Sequence, residues 1–175
     1  MKILFMGTPD FALFSLKSLV EYSKSSDIEI CGVITQPDKP KGRGYEMAMP
    51  EVKVYALEKN IPVFQPETLK DGAIAELLEE LHPDVIIVVA YGKILPEYIL
   101  NYSKYGCINM HASLLPKYRG AGPIQWSVIN GEKVTGVTTM LMNEGVDTGV
   151  MLLRREVEIG EYETSEELFD RMAII

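Results

Sequence analysis

Asn109 and His111 lie in the segment Cys107-Ile-Asn-Met-His-Ala-Ser-Leu-Leu-Pro116, and the segment Gly145-Val-Asp-Thr-Gly149 follows further along the chain. Residues two apart on a strand leave the same face, so a strand here would present the Asn109 carboxamide beside the His111 imidazole and turn Met110 into the opposite layer. A fixed amide donor next to an imidazole suits reactions in which negative charge grows on a carbonyl oxygen, because donors placed in advance stabilise that charge without reorganising. Each residue also has a plainer use: a His at a strand end can be purely structural, and Asn and Gly-x-Asp-Thr-Gly both make turns. What singles them out is the compound pattern, Asn-x-His-x-Ser-Leu-Leu-Pro together with a distant Asp-Thr-Gly.

The elements that must hold these residues alternate along the chain. Apolar strand-like runs (Lys2 to Met6, Ile28 to Thr35, Ile61 to Gln65, Val85 to Ala90, Cys107 to His111) are interleaved with helical stretches, among them one after Pro9, one from about Glu51 to Lys59 and one over Leu69 to Leu81. That βαβ pattern predicts an α/β, Rossmann-like fold, a mostly parallel twisted sheet with helices on both faces. Val85 to Ala90 is apolar at every position, as befits a central strand buried on both sides. Thr8 is placed to cap the first helix with Pro9 at its first position, and Ala12, Leu13, Leu16, Leu19 and Val20 share its inward arc, which leaves Phe14 outward. Val137 to Met142 and Val150 to Glu158 read as an antiparallel or edge pair joined by the Asp147 loop. Thr164 and Glu167 form a capping box for a last helix. That helix reaches Ile175 without a terminating residue, so the polypeptide is expected to continue.

Composition narrows the function. With 175 residues, 47% hydrophobic and 24% charged, the chain can bury a full core as a single domain. A net charge of −8 argues against general nucleic-acid affinity. The one local exception is Pro37-Asp-Lys-Pro-Lys-Gly-Arg-Gly44, which offers Lys39, Lys41 and Arg43 in a loop rich in proline and glycine. Cys31 and Cys107 lie in apolar runs without a partner at metal or redox spacing and read as buried free thiols of a reducing cytosol, with no metal site expected. The N-terminus lacks signal-peptide features and no apolar run is long enough to span a bilayer, which predicts a cytoplasmic protein with no membrane contact. Met-Gly-Thr-Pro has a single glycine where dinucleotide folds use three, so no nicotinamide or flavin site is inferred. His82 reads as structural, and Trp126 as packed, with a ligand role left open by its nearness to the Ser113 loop.

Several segments together resemble the amino-terminal, catalytic part of the methionyl-tRNA formyltransferases over essentially the whole chain: Phe5-Met-Gly-Thr-Pro-Asp-Phe-Ala12, Gln36 to Gly44, Val63-Phe-Gln-Pro66, Val88-Val-Ala-Tyr-Gly-Lys-Ile-Leu-Pro96, Ile108 to Gly120 and Gly145 to Gly149. The wider folate-dependent formyltransferases share Asn-x-His-x-Ser-Leu-Leu-Pro and the Asp-Thr-Gly loop, while Gly-Thr-Pro-Asp-Phe and the Gln-Pro-Asp loop are more particular to the tRNA-acting branch. The resemblance implies transfer of a formyl group from 10-formyltetrahydrofolate to the α-amino group of methionyl-initiator tRNA, with no metal. It implies a catalytic trio of Asn109, His111 and Asp147. Folate would be bound by Val88, Ala90, Tyr91, Gly92, Ile94, Leu95, Ser113, Leu114, Leu115 and Pro116, and the tRNA acceptor stem by Lys39, Lys41 and Arg43.

It further implies that residues 1–175 are a formyltransferase catalytic domain, monomeric, cut short at its C-terminal end and lacking a carboxy-terminal β-barrel that helps bind tRNA. The acidic balance and single basic loop then make tRNA binding by this stretch alone weak. Tyr45-Glu46-Met47 follows that loop where members of the family often carry further lysines. Three other readings use the same residues: a formyltransferase acting on a small amine such as glycinamide ribonucleotide or an amino sugar, a formyltetrahydrofolate hydrolase, and a folate-binding module without activity.

Overall fold

The computed structural model describes residues 1–41 and 46–175, which divide into two compact units, residues 1–107 and 108–175. The first is built on parallel strands β1 (Lys2–Gly7), β2 (Glu29–Ile34), β5 (Val63–Phe64) and β6 (Val85–Val89), in the order β5-β2-β1-β6. Phe5 lies opposite both Val33 and Ile87. Leu4, Phe5, Met6, Val33, Ile34, Ile86 and Val89 are all fully buried, the burial that a strand run apolar on every residue requires. A separate antiparallel pair, β3 (Lys39–Lys41) with β4 (Glu46–Ala48), puts Lys39 and Lys41 of the expected basic loop on a strand.

Helices α1 (Asp10–Ser23), α2 (Glu51–Glu58), α3 (Ala75–Leu81) and α4 (Glu97–Leu100) complete this unit. Phe11, Ala12, Leu16 and Val20 are the buried residues of α1, with Leu13 and Leu19 half-buried. Phe14, expected outward, is half-buried, and the Lys17 ammonium lies 5.6 Å from its ring and 5.6 Å from that of Tyr55, a cation bridging two aromatic faces. Two expectations fail here. Pro9, not Thr8, occupies the cap position of α1, and Thr8 makes no cap hydrogen bond because its hydroxyl donates to Tyr91 O and accepts from Gln36 N. Helix α3 starts six residues later than its apolar period suggests, because Asp71 and Gly72 both take positive φ, 55° and 73°, and break the first turns.

The second unit is antiparallel. Strand β7 (Cys107–His111), which opens it, pairs with β8 (Val134–Leu141), and β8 pairs with β9 (Val150–Glu158). Helix α5 (Pro123–Ile129) links β7 to β8, and α6 (Ser165–Ala173) closes the chain with the expected Thr164–Glu167 capping box. Trp126 on α5 is 52% exposed, so the packing expected of it is incomplete. The α/β class and the mostly parallel sheet agree with the sequence pattern.

Candidate active site

Antiparallel pairing sets Asn109 opposite Met140 and His111 opposite Thr138, which holds both polar residues on rigid strand. Asp147 is carried by the loop between β8 and β9 at φ 49°, a left-handed conformation that Asp tolerates better than most residues. The Asn143 side-chain oxygen accepts from Gly145 N (3.1 Å) and from the Thr148 hydroxyl (2.8 Å), tying the two arms of that loop together. At Gly149 a Cβ would fall on the Leu141 carbonyl, so the loop closes only because that side chain is absent.

The trio converges. Gly120 N donates to Asp147 Oδ2 at 2.8 Å, His111 Nδ1 lies 3.5 Å from the same oxygen, and Asn109 Nδ2 lies 3.4 Å from Oδ1. Hydrogen bonds to an ionised carboxylate are short, near 2.7–2.9 Å when well formed. Only the Gly120 contact is anchored in that sense; the two side-chain donors sit at long range and are free to shift onto a new acceptor at little cost. The His111 and Asp147 side chains are 8% and 14% exposed, so the cluster is largely shielded yet open to a ligand.

The second ring nitrogen fixes how His111 is used. Nε2 lies 2.8 Å from the Tyr118 carbonyl oxygen. A carbonyl can only accept, so Nε2 carries a proton there. Nδ1 then faces the Asp147 carboxylate. His111 therefore presents Nδ1, not Nε2, to the reacting side. Tyr118 and Gly120 were not singled out as site residues from sequence; both act through the backbone, and the one visible signal is the glycine itself, at φ 83° in Tyr-Arg-Gly.

The residues expected to bind folate fall into two kinds. In the first unit Val88, Tyr91 and Leu95 are buried, whereas Ala90 and Gly92 are exposed and Ile94 is 79% exposed, an apolar side chain left facing solvent. Burial pushes the Tyr91 phenol up to about 12, and its hydroxyl has no hydrogen-bond partner among the described residues. In the second unit the Ser113 hydroxyl donates to Lys117 O (2.7 Å), while Ser113 O and Leu115 N are both engaged by the Thr138 hydroxyl. Ser113 and Leu115 are thus buried in the turn's own wiring. Leu114 and Pro116 help line a surface depression of about 670 Å³ with Lys117, Tyr118 and Arg154.

Lys39 on β3 donates to Gln36 Oε1 at 2.7 Å, Lys41 ends β3, and Arg43 lies outside the described residues. The approach to this strand pair is heavily tied. Lys53 donates to both Asp38 oxygens (2.9 and 2.7 Å) and to Gln65 Oε1 (2.7 Å). Gln65 Nε2 donates to Asp38 Oδ1 (2.8 Å) and to Gln36 O (2.9 Å), and Gln36 Nε2 to Tyr91 O (2.7 Å). The hydrogen bonds from Lys53 and Gln65 hold the Asp38 carboxyl below its ordinary value. These partners come from four segments distant in sequence, which is why pattern reading did not assemble them. Among the described residues no group of three or more His, Cys, Asp or Glu could hold a metal ion, and no helix is long and apolar enough to cross a membrane.

Residues 1–174 match the formyl transferase family. Among curated relatives, methionyl-tRNA formyltransferase of Alkaliphilus oremlandii is 59% identical over 98% of this chain and 54% of its own length. That of Clostridioides difficile is 55% identical, again over 98% of this chain and 54% of its own length. The chain thus spans about half the length of the curated relatives it matches. Among solved structures, phosphoribosylglycinamide formyltransferase of Bacillus halodurans superposes with a TM-score of 0.82 at 22% identity, over 98% of this chain and 87% of that one. At that identity the likeness speaks for the fold.

Proposed function

Since the chain belongs to the formyl transferase family, we propose that it forms the catalytic part of an enzyme that moves the formyl group of 10-formyltetrahydrofolate to the α-amino group of methionyl-initiator tRNA. The identity of 59% to a relative bearing that activity as its name supports the choice of acceptor. The observation that carries the chemistry is the convergence of Asn109 and His111 on Asp147 at hydrogen-bonding range that is long on both sides.

In the reaction a C–N bond forms between the acceptor amine and the formyl carbon, the bond from that carbon to the folate nitrogen breaks, and one proton passes from the first nitrogen to the second. The donor supplies a formyl carbonyl activated by its attachment to nitrogen. Asn109 Nδ2 and the His111 Nδ1–H move from their long contacts with Asp147 onto the formyl oxygen as negative charge collects there. Asp147, kept in place through Oδ2 by Gly120 N, takes the amine proton on Oδ1 and delivers it to the departing nitrogen. The exposed Ile94 with Ala90 and Gly92 offers an apolar surface of the kind a pterin ring would cover.

Lys39, Lys41 and Arg43 would meet acceptor-stem phosphates, with the Asp38–Lys53–Gln65 cluster holding their segment. The reaction is placed in the cytoplasm, with a single chain providing all three groups. The test supplies 10-formyltetrahydrofolate with methionyl-initiator tRNA, with glycinamide ribonucleotide, or with no acceptor, and follows formyl loss and product. Formylated tRNA only with the first acceptor is expected. Formylated glycinamide ribonucleotide, or formate released without an acceptor at a comparable rate, would replace this reading by one of the alternatives.

A further inference from the structure

Residues 118 to 120 aim two backbone groups at the trio: the Tyr118 carbonyl accepts from His111 Nε2, and Gly120 N donates to Asp147 Oδ2, both at 2.8 Å. Both end residues of this segment have positive φ, 56° at Tyr118 and 83° at Gly120. Glycine takes such a conformation freely, but a tyrosine there is strained and stays only where its surroundings hold it. The hold is visible. The Tyr118 hydroxyl donates to Glu132 Oε1 at 2.7 Å and accepts from Asn130 Nδ2 at 3.0 Å, both carried by the connection between α5 and β8. Glu132 is itself fixed by Lys117 Nζ at 3.0 and 3.1 Å, and the Lys117 carbonyl by the Ser113 hydroxyl at 2.7 Å.

Resting on the formyl-transfer reading, we propose that Tyr118 is the positioning residue of this site: its hydroxyl, gripped by Glu132 and Asn130, holds the 118–120 segment so that its carbonyl keeps accepting from His111 Nε2–H and turns Nδ1 toward the reacting groups. Tyr118 touches no reacting atom. Its influence passes entirely through the orientation of His111, which the neutral ring reports as its tautomer.

The test combines a spectroscopic and a kinetic readout on the full chain. The protein has two histidines, so the ring nitrogen resonances of His111 are assigned with a His82→Asn variant. In the parent, the neutral His111 ring is expected as the Nε2–H tautomer. In Tyr118→Phe, which removes the hydroxyl alone, both tautomers appear and kcat falls about tenfold or more while KM for the formyl donor changes less than about twofold. Glu132→Ala should reproduce both effects, and Glu132→Gln, which keeps an oxygen for the hydroxyl, should restore the tautomer and most of kcat. The double variant should be no worse than either single one. An unchanged tautomer and turnover in a folded Tyr118→Phe protein overturns the inference, as does a Glu132→Ala protein indistinguishable from the parent. A parent with no formyl transfer at all overturns the functional reading instead, and the tautomer measurement still decides the role of Tyr118.

Discussion

Replacing Asp147 by Asn tests the geometry of the trio with little disturbance to the backbone. At φ 49° Asn is tolerated as well as Asp, and the side chains have the same shape. The difference lies in what the second terminal atom can do. Asp147 offers two acceptor oxygens, and three N–H groups point at them: Gly120 N and His111 Nδ1 at Oδ2, Asn109 Nδ2 at Oδ1. An Asn keeps one oxygen, which the short Gly120 contact claims. Its NH2 then faces the Asn109 NH2, donor against donor, and Asn109 relieves the conflict by turning its own oxygen inward. That removes one donor from the formyl oxygen and the proton acceptor from the amine in the same step. Loss of a single oxyanion donor costs about 10²–10³ in turnover, so Asp147→Asn should lower kcat by at least about that factor. KM for the formyl donor should hold, because Asp147 is assigned no binding role. Single-turnover formyl transfer measures the chemical step directly. Turnover within a few-fold of the parent, in a protein of parental stability, would refute the assignment of roles.

The Gly120 position separates conformation from space. No atom lies within 4 Å of a Cβ added there, so Gly120→Ala should cost about 1–2 kcal/mol through backbone strain alone, read as a fall in Tm of about 2–8 °C, or relax its φ and lose the N–H bond to Asp147 with a matching drop in kcat. A variant as stable and as active as the parent would contradict the geometry. Lys53→Met should leave use of the formyl donor unchanged and raise KM for the tRNA acceptor, since it frees Asp38 and Gln65 from their shared anchor; equal KM values in a steady-state comparison would remove that role. Because the folded Asp38 carboxyl lies below its ordinary 3.8, its contribution to stability is full above that value and is lost as pH falls through the lower folded one, so the parent's acid unfolding curve should lose this component in Lys53→Met. Burial raises the Cys31 and Cys107 thiols to about 11 and about 12, so neither should react with a disulfide reagent at neutral pH until the protein unfolds; rapid labelling of the native protein would count against the core as described.

Where local chemistry decides, the sequence was a good guide. The Thr164–Glu167 capping box, the apolar central strand and the placing of Asn109 and His111 on one strand all follow from spacing, and the structure adds distances rather than surprises. Thr8 shows where such reasoning stops. A Thr before Pro9 has every local reason to cap a helix, yet Gln36 and Tyr91 compete for its hydroxyl, and neither is a sequence neighbour. The late start of α3 was legible in Asp71-Gly72 but was outweighed by the apolar period. Phe14 gained its account only when α2 brought Tyr55 beside Lys17. In the site, Asn109 and His111 stood out because residue types announce chemistry, whereas Asp147 by itself reads as a turn residue and joined them only through the family resemblance. The Tyr118 carbonyl and the Gly120 N–H did not stand out, because every residue but proline has both groups and only φ angles say where they point.

All of the groups assigned to bond making, Asn109, His111 and Asp147, together with the backbone atoms that brace them, fall within residues 108–175, whereas the Thr8, Gln36, Asp38, Lys53 and Gln65 wiring falls within residues 1–107. The polypeptide thus keeps a division of labour along its own length. On the proposed reading, exchanges in the earlier stretch would retune what is bound there while the bond-making groups of the later stretch stay as they are, so one catalytic cassette would serve unlike clients without being rebuilt.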